Sequence, residues 1–536
     1  MKKLSKSSNW IIVSLFLLIS VILIGLLSYS SPMYEFNYSG DNNNYMTVGK
    51  SMMHGIVPYK DLFEQKGPYV YLIYGLASKI SFETFIGSAV FEILILTLII
   101  WLTYKIARLY LQDYLAFGVS LFVPVFVFMQ PFYTYGATVE FFVFPAILSL
   151  IYLTLKSGRQ NFEISKLDWF IQGFLVGVVF FSKYTLLGSW IAFYLIIFGI
   201  YLYQRRFPAI AKLFWSSLSG FILATVPWLI YFWIENGLQQ FFDVYFYTNI
   251  FMYGSVNGNG LTRLINSIST YIQFLVTSNP VITGLVLVAI FTLYCNRRVI
   301  NNKATFKVIV AMMLTNAILA VIGGTFGAYY LLAYFPYLVL AYLLLVVALN
   351  KKGMLKSLHA GLLTTILLIL GSIFMTISVN QNLQYSKLFP NNPAITNHGG
   401  KKVQESAQIK FGKIMKNESD GRPTLLTFGF LENGFYTTSG AYPNVRFFER
   451  NNIPYKKYPQ MLDDAAAAIE KKKTQWVVIV VDATTNNNLD YQIKNSFKKH
   501  VYKRGINALN DSYEIRAHHA QFSQGNQVEY VLYKLK

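Results

Sequence analysis

Residues 10–30, WIIVSLFLLISVILIGLLSYS, are followed at residues 38–61 by YSGDNNNYMTVGKSMMHGIVPYKD, and this contrast decides the fold class. The first stretch is apolar and about 20 residues long, which is the length that a helix needs to cross the hydrocarbon of a bilayer. We interpret it as an uncleaved anchor, because SYSSPMY is a poor small-x-small cleavage site. The second stretch is rich in carboxylates, amides and aromatics. The sequence therefore places polar chemistry at a membrane edge.

The composition extends this interpretation to most of the chain. Of 536 residues, 54% are hydrophobic and only 13% are charged, which is far from a soluble protein. The single cysteine, Cys295, excludes an internal disulfide, and its apolar surroundings predict a buried thiol. Eleven apolar runs are long enough to span, at residues 10–30, 84–104, 114–131, 139–155, 168–186, 187–203, 213–234, 278–295, 306–323, 328–349 and 358–379. We predict a polytopic α-helical membrane protein.

The basic residues predict the orientation of the chain. With eleven spans and a cytoplasmic N-terminus, 18 of the 24 Lys and Arg residues before position 380 fall on the cytoplasmic side. One missed span would scatter them over both faces. The net charge of +21 is therefore explained by topology, and no nucleic-acid partner is expected. The loops 31–83 and 236–277 and everything after residue 380 are predicted to lie outside the cell.

Two domains follow from the change in composition near residue 380. Residues 1–380 form a transmembrane domain whose loops 31–83 and 236–277 contain short interfacial helices, YVYLIYGLASKI and LTRLINSISTYIQFLV. Residues 381–536 read as a soluble extracytoplasmic α/β domain. Its elements are helices near 400–416, 459–472 and 487–498, the strands TLLTF and WVVIVV, and late strands that include VEYVLYKL.

Asp41 is the first candidate for chemistry. It lies where a helix is expected to begin, and two interpretations stand. As an N-cap it would accept hydrogen bonds from free N–H groups of the first turn. As a general base at the membrane face it would accept a proton from an incoming hydroxyl. Tyr59 and Lys66, a short reach of chain away, are predicted substrate-binding residues.

Glu140 and Lys183 are the next candidates. Glu140, in YTYGATVEFFVFP, lies at the outer end of the fourth span. A charge there either pairs with another charge, has a functional role, or snorkels to water. Lys183, in VVFFSKYTLLG, lies at the outer end of the fifth span. It is placed either to bind a phosphate at the headgroup plane or to pair with Glu140 or Glu92 for stability.

Two further features carry open alternatives. Glu92 lies within the second span, where a carboxylate can relay protons, as a transporter would require. Tyr329 and Tyr330, in GGTFGAYYLLAYFP, begin the tenth span. They either belong to an aromatic belt at the interface or, for Tyr329, contribute to substrate binding.

Together these segments resemble the GT-C glycosyltransferases, the polyprenol-phosphate-sugar-dependent membrane enzymes that include protein O-mannosyltransferases and aminoarabinose transferases. The resemblance rests on Asp41 after a first span, on GIVPYKDLFEQKGP at residues 55–68, and on the acidic residue that follows GAT at the fourth span. It covers residues 1 to about 380 in layout. Its specific part is confined to residues 38–68 and 135–145, with a weaker similarity at 173–185.

The resemblance implies roles for individual residues. Asp41 would be the catalytic base, Glu140 would position the acceptor or support the base, and Lys183 would contact the donor phosphate. Similar proteins often carry His or Arg before the aromatic pair of a late span, where this chain has Ala328. Arg263 is the candidate that replaces that phosphate contact.

The expected function is inverting transfer of a sugar from a polyprenyl-phosphate donor to an extracytoplasmic acceptor such as a cell-wall polymer or glycolipid. The basic tail, with 22 Lys and Arg against 13 Asp and Glu, is consistent with an anionic wall polymer such as teichoic acid or with ordinary solubility. No cofactor is expected, and a divalent metal is an open alternative that no clear set of ligand side chains supports. The alternatives are a lipid or solute transporter, which would use Glu92, Glu140 and Lys183 inside the bundle, and a membrane-anchored assembly factor whose tail is the working part.

Overall fold

The computed structural model describes residues 6–253, 260–278, 280–300, 302–323, 327–354, 358–389, 405–483, 488–523 and 526–536. Lys2, Lys3 and Lys356, which contribute to the predicted charge asymmetry, and the predicted helix start near residue 400 lie outside these ranges. The helices are α1 (Lys6–Leu27), α2 (Gly40–Met52), α3 (Pro68–Ile80), α4 (Ile86–Ala107), α5 (Asp113–Leu121), α6 (Val123–Val127), α7 (Val139–Gly158), α8 (Lys166–Lys183), α9 (Gly188–Tyr203), α10 (Phe207–Ile234), α11 (Leu238–Phe241), α12 (Gly260–Ser278), α13 (Pro280–Cys295), α14 (Lys303–Val321), α15 (Phe335–Lys351), α16 (Leu358–Val379), α17 (Ala407–Asn417), α18 (Phe435–Ser439), α19 (Gln460–Glu470), α20 (Leu489–Ser496) and α21 (His500–Ser512).

Shorter turns and four strands complete the described elements. The 3₁₀ turns are Tyr184–Leu186, Arg297–Ile300, Ala328–Ala333 and Gln381–Tyr385, and a π-helix covers Phe242–Met252. The strands are β1 (Leu425–Thr427), β2 (Trp476–Asp482), β3 (Tyr513–Ser523) and β4 (Asn526–Leu535).

The apolar helices confirm a multi-pass membrane protein. Seven helices in the described residues are long and apolar enough to cross a bilayer, and four shorter apolar helices accompany them, one for each of the eleven predicted segments. The third predicted segment is broken between α5 and α6, next to Pro124, and the tenth begins with a 3₁₀ turn before Pro336. Proline fixes φ and lacks an N–H, so it suits the first turn of a new helix.

Cys295 corrects one expectation. Its apolar surroundings predicted a buried thiol, but the structure places it exposed at the end of α13. In a membrane protein an apolar run is as stable against lipid tails as it is in a protein core, so apolar neighbours do not by themselves predict burial.

The chain divides into two compact units. The helical unit comprises Met1–Leu27, Glu92–Ile230 and Gly254–Gln381, and the sheet unit comprises Ser28–Phe91, Tyr231–Tyr253 and Asn382–Lys536. The sheet unit thus combines the predicted tail domain with segments of both predicted external loops.

Polar side chains join neighbouring helices within the helical unit. Ser189 of α9 and Tyr337 of α15 share a buried hydrogen bond of 2.7 Å between their hydroxyls. Asn316 of α14 donates from Nδ2 to the carbonyl of Ala333 at 2.9 Å. Because every backbone and side-chain polar group away from water needs a partner, such contacts fix the helices against one another.

The sheet unit is built on a four-stranded sheet in the order β1-β2-β4-β3. β1 runs parallel to β2, whereas β4 is antiparallel to both β2 and β3. The β-branched run of β2 is almost wholly buried, as expected for a central strand covered on both faces. The core contains Leu426, Phe428, Val477, Ile479 and Val531 from the sheet region, with Leu462 and Ile469 from α19 and Leu509 from α21.

Helix α2 has an unusual composition for a buried element. Residues Asn42–Ser51 are all buried, although they include three consecutive asparagines. Asparagine and glycine are weak helix formers, so packing must hold α2 in shape. One contact is with α3, where a Cβ on Gly49 would lie 2.6 Å from the carbonyl oxygen of Tyr71. Only glycine permits this close approach of the two helices.

Candidate functional site

The start of α2 places Asp41 in the first turn without making it the cap. The N-cap is Ser39, whose Oγ accepts the N–H of Asn42 at 3.2 Å. Asp41 is the second helical residue and is partly exposed. The N-cap interpretation of Asp41 is therefore wrong: serine is as good a cap as aspartate, and it lies two residues earlier.

The run GIVPYKDLFEQKGP forms an ordered loop between α2 and α3 in the sheet unit. Asp61 Oδ2 accepts the N–H of Val57 at 2.8 Å, and Glu64 Oε2 accepts the N–H of Lys66 at 2.9 Å. Tyr71 donates its hydroxyl to Glu64 Oε2. The acidic residues of the motif therefore satisfy backbone donors within the loop.

The two predicted binding residues of this run are differently placed. Tyr59 is fully buried with a backbone φ of 68°, and its hydroxyl donates to the carbonyl of Lys66 at 2.6 Å. A direct contact between Tyr59 and substrate would require this loop to open. The ammonium of Lys66 lies 5.5 Å from the ring centroid of Tyr45 on α2. Lys66 thus faces α2, the helix that carries Asp41.

Glu140 and Lys183 form an ion pair in the helical unit. Lys183 Nζ donates to Glu140 Oε1 at 2.5 Å, and the two side chains are only 14% and 1% exposed. Glu140 therefore does not snorkel to water, and that alternative is wrong. Of the two predicted partners of Lys183, the ion pair is with Glu140, and Glu92 accepts a hydrogen bond of 2.8 Å from the hydroxyl of Tyr133.

A break in α8 brings Lys183 to this position. Phe181 leaves the helical conformation, with φ −96° and ψ 19°, and Lys183 itself is extended before the turn Tyr184–Leu186. Its ammonium lies 3.5 Å from the ring centroid of Tyr330 and 5.8 Å from that of Tyr329. A cation this close to an aromatic face is held by the quadrupole of the ring. Tyr329 and Tyr330, which begin the tenth predicted segment, thus both lie near the ammonium of Lys183.

Arg263 and Tyr271 lie on α12 in the same unit. Arg263 Nη2 donates to the carbonyl of Gly323 at 3.2 Å, just beyond α14. Burial raises the pKa of Tyr271, and the negative charge of Glu140 raises it further. Sequence reasoning did not select Tyr271. The only signal was its place in the amphipathic run of α12.

An apolar groove of about 260 Å³ lies in the helical unit between α12, α13, α14 and α15. Tyr271 and Tyr334 line it, as does Leu331, which directly follows Tyr330 in the chain. The polar cluster of Glu140, Lys183 and Tyr330 therefore adjoins apolar space. The described residues contain no group of three His, Cys, Asp or Glu side chains arranged for a metal ion.

The predicted site residues thus divide between the two units. Glu140, Lys183 and Tyr329 lie together in the helical unit, and Arg263 belongs to the same unit. The sheet unit contains Asp41, Tyr59 and Lys66. Their roles in catalysis and binding remain predictions.

No protein-family model matches the chain, and no curated protein matches its sequence. Its structure is similar to two crystal structures of ArnT from Cupriavidus metallidurans, one bound to undecaprenyl phosphate and one in the apo state. Each alignment covers 98% of this chain and 98% of ArnT, at 12% identity and a TM-score of 0.57. The oligosaccharyltransferase of Archaeoglobus fulgidus in complex with Zn and sulfate aligns over 87% of this chain and 67% of its own, at 12% identity and a TM-score of 0.44. ArnT is an aminoarabinose transferase of the GT-C superfamily. This similarity shows that the chain shares the fold of ArnT.

Proposed function

We propose that this protein is a membrane glycosyltransferase that moves a sugar from a polyprenyl-phosphate donor to an acceptor outside the cell. The observation that carries the proposal is the place of Lys183. This cation is paired with Glu140 and covered by Tyr330, and the groove next to it is apolar. A phosphate on a long apolar chain needs a cation for the phosphate and, next to it, apolar space for the chain. ArnT, whose fold this chain shares, has been crystallised with undecaprenyl phosphate bound.

In this proposal the helical unit binds the donor. The apolar chain of the donor occupies the groove lined by Tyr271, Leu331 and Tyr334. The ammonium of Lys183 has three N–H donors, and Glu140 accepts from one of them, so the others remain for phosphate oxygens. Glu140 then acts as a positioning residue, because it fixes the ammonium against the face of Tyr330. Arg263 is a second candidate cation for the phosphate.

Asp41 activates the acceptor in the proposed reaction. The acceptor O–H bond breaks and its proton passes to the carboxylate of Asp41, while the oxygen forms a bond to the anomeric carbon. The bond from that carbon to the phosphate oxygen breaks, and the lipid phosphate leaves with the electron pair. Attack opposite to the leaving group inverts the anomeric configuration. Phosphate is a good leaving group, so the site needs to stabilise charge and align the reactants instead of supplying a general acid.

The acceptor and the orientation are also part of the proposal. The positive-inside asymmetry supports a cytoplasmic N-terminus and an external tail. An external tail with an excess of basic residues favours an anionic wall polymer such as teichoic acid as the acceptor over a neutral one. The donor class rests on Lys183 and the groove and does not depend on this choice.

The first experiment compares wild type with Asp41→Asn in cells, at matched abundance in the membrane. The sugar content of the extracted wall polymers and the amount of unused lipid-linked sugar are measured together. We expect Asp41→Asn to lose one sugar modification and to accumulate its lipid donor. Asp243→Asn is the matched control, because Asp243 is an exposed carboxylate in another segment of the same unit.

A second variant tests the donor half. Lys183→Gln should weaken use of the lipid donor while the protein still inserts in the membrane, whereas Lys166→Gln, at the other end of α8, should not. If Asp41→Asn and wild type carry the same sugars, the transferase proposal is wrong. A change in lipid distribution between leaflets would then favour the transporter.

A further inference from the structure

Helix α2 depends on its surroundings for its shape, and this dependence points to a task for the C-terminal part of the chain. Its sequence GDNNNYMTVGKSM contains three asparagines and two glycines, which favour turns over helices in isolation. Because every residue from Asn42 to Ser51 is nevertheless buried, neighbouring elements of the sheet unit must hold the helix. Besides α3, those neighbours are residues 430–436, here called the 430–436 loop, and Glu449.

Two buried polar contacts join α2 to this region. Asn44 Nδ2 donates to Glu449 Oε1 at 2.6 Å, and Lys50 Nζ donates to the carbonyl of Tyr436 at 2.7 Å. None of Asn44, Lys50 and Glu449 is more than 3% exposed. Buried hydrogen bonds are directional, so these two fix both the rotation and the axial position of α2.

The 430–436 loop is itself fixed around these contacts. Glu449 Oε2 accepts the N–H of Glu432 at 2.7 Å, and Glu432 Oε1 accepts the N–H groups of Gly434 at 2.8 Å and Tyr436 at 3.0 Å. Burial lowers the pKa of Lys50 to about 7 and raises that of Glu432 to about 7. A continuous set of buried hydrogen bonds therefore links Glu432, Tyr436 and Glu449 to α2.

The same loop reaches the residue next to Asp41. A Cβ on Gly40 would lie 3.4 Å from the carbonyl oxygen of Glu432. Asn44 is three residues after Asp41, so the two lie on the same side of the helix. The contact through Glu449 therefore acts within one turn of the proposed base.

We propose that Glu449 and Asn44 are positioning residues that hold α2, and with it Asp41, in the geometry required for sugar transfer. The C-terminal domain would then be part of the machinery for the chemical step and not only a surface that recruits acceptor. This inference rests on the proposed function, because it assigns a purpose to the placement of Asp41. It predicts that loss of the hydrogen bond between Asn44 and Glu449 lowers turnover while the chain stays folded.

The test is a rescue experiment with three variants. Asn44→Asp removes the N–H donor and places an acceptor oxygen against Glu449 Oε1, so this hydrogen bond is lost and α2 should shift. Glu449→Gln should be mild, because the amide of Asn44 can rotate to accept from the new amide, and the oxygen of Gln can still accept from the N–H of Glu432. The double variant Asn44→Asp with Glu449→Gln restores a bond between carboxylate and amide with its direction reversed. Rescue by the double variant is the result that a loss of packing alone would not give.

The measurements are sugar transfer in isolated membranes and the melting temperature in detergent. Lipid-linked sugars extracted from the producing cells serve as the donor probe, and the extracted wall fraction serves as acceptor. We expect Asn44→Asp to lower the turnover about 10- to 100-fold per folded molecule, since an error of about 1 Å in alignment has this cost. The apparent affinity for the lipid donor should not change. The double variant should recover most of the turnover, and Glu470→Gln, on the exposed pair with Arg504, is the control.

Each other outcome overturns the inference. Wild-type turnover in Asn44→Asp, or a loss that the double variant does not repair, means that Glu449 does not position α2. A lower melting temperature with unchanged turnover per folded molecule means that the contact only stabilises the fold. If Asn44→Asp does not accumulate, Asn44→Ala removes the contact without adding charge and must lower turnover. Asp41→Asn in the same assay distinguishes failure of the positioning role from failure of the proposed function. If Asp41→Asn stays active, the proposed function is wrong as well. If Asp41→Asn is inactive while Asn44→Asp is active, only the positioning role is wrong.

Discussion

Helices α2 and α7 each carry one carboxylate at their second residue, Asp41 and Glu140, yet the two side chains have opposite surroundings. Glu140 is buried and paired with Lys183 at 2.5 Å. Asp41 is partly exposed, and the capping of its helix is performed by Ser39. The same local position therefore leads to two different surroundings. In the proposed reaction Glu140 holds the cation and Asp41 accepts the proton.

The largest expected effect on stability comes from the α7 side of this comparison. Glu140→Gln leaves the ammonium of Lys183 buried without a counter-charge, which costs about 3 to 5 kcal/mol. We expect a marked fall in melting temperature, measured in detergent. The double variant Glu140→Gln with Lys183→Met should recover much of that stability without recovering sugar transfer.

Asp41→Asn, measured in parallel, should lower the melting temperature much less than Glu140→Gln, because the N-cap hydrogen bond of α2 comes from Ser39 and is kept. Equal destabilisation by Glu140→Gln and Asp41→Asn would contradict the contrast between the two helices.

The second prediction concerns the pH dependence of the network behind α2. Burial raises the pKa of Glu432 to about 7 from its ordinary 4.5, so the folded chain keeps a proton that the unfolded chain has lost. Unfolding therefore releases a proton between these values, and Glu432 contributes stability that is lost as the pH rises from about 4.5 to about 7. Glu432→Gln removes this dependence at nearly constant size. The stability of wild type relative to Glu432→Gln should fall across this window, by at most about 1.4 kcal/mol per pH unit.

Melting temperatures of wild type and Glu432→Gln at several pH values from 4.5 to 7.5 provide the measurement. Parallel curves for wild type and Glu432→Gln would show that the pKa of Glu432 is the same in the folded and the unfolded chain.

The third prediction sharpens the description of the α7 side, where two adjacent tyrosines differ in their distance from the cation. Tyr330→Leu removes the ring at 3.5 Å from Lys183, and Tyr329→Leu removes the ring at 5.8 Å. A desolvated cation–π contact contributes about 2 kcal/mol, so the affinity for the lipid donor should fall roughly 30-fold in Tyr330→Leu. Tyr329→Leu should have a much smaller effect on the same titration. Equal effects would support the aromatic-belt interpretation of both residues.

The smallest expected effect comes from the N-cap residues of α2 and α7, which differ in their side-chain hydrogen bonds. Ser39→Ala removes a side-chain cap and should cost about 1 kcal/mol of stability. Thr138 occupies the N-cap position of α7 but makes no side-chain cap hydrogen bond, so Thr138→Ala should cost less. Thermal unfolding of the two variants checks this difference. A larger loss for Thr138→Ala would mean that the caps do not distinguish the two helices.

The spans were predictable because hydrophobic length is a local property. Each of the eleven predicted segments has an apolar helix in the structure, and the main deviations fall next to Pro124 and Pro336. The strand WVVIVV and the helix near 459–472 were predicted close to their observed bounds for the same reason. The short helix α18 was not predicted, since its five residues give no periodicity.

The candidate site was predictable only in part. A charge next to a membrane face needs an explanation from sequence alone, so Glu140, Lys183 and Asp41 could be selected. The partner of Lys183 could not be chosen between Glu140 and Glu92, because the two carboxylates differ in sequence distance and not in chemistry. Glu449 could not be selected from the sequence, because it lies more than 400 residues from Asn44 in the chain. In the structure the two side chains are 2.6 Å apart.

The sequence by itself determined that this protein crosses a membrane many times, since about 20 apolar residues have no other stable environment. It also determined the polar stretch that follows the first span and the asymmetry of basic residues. Only the tertiary structure decided that Ser39 caps α2, that Glu140 is committed to Lys183, and that Glu432 and Glu449 lie behind the asparagines of α2. The physical reason is that burial and pairing depend on which segments meet, whereas hydrophobic length depends on one segment alone.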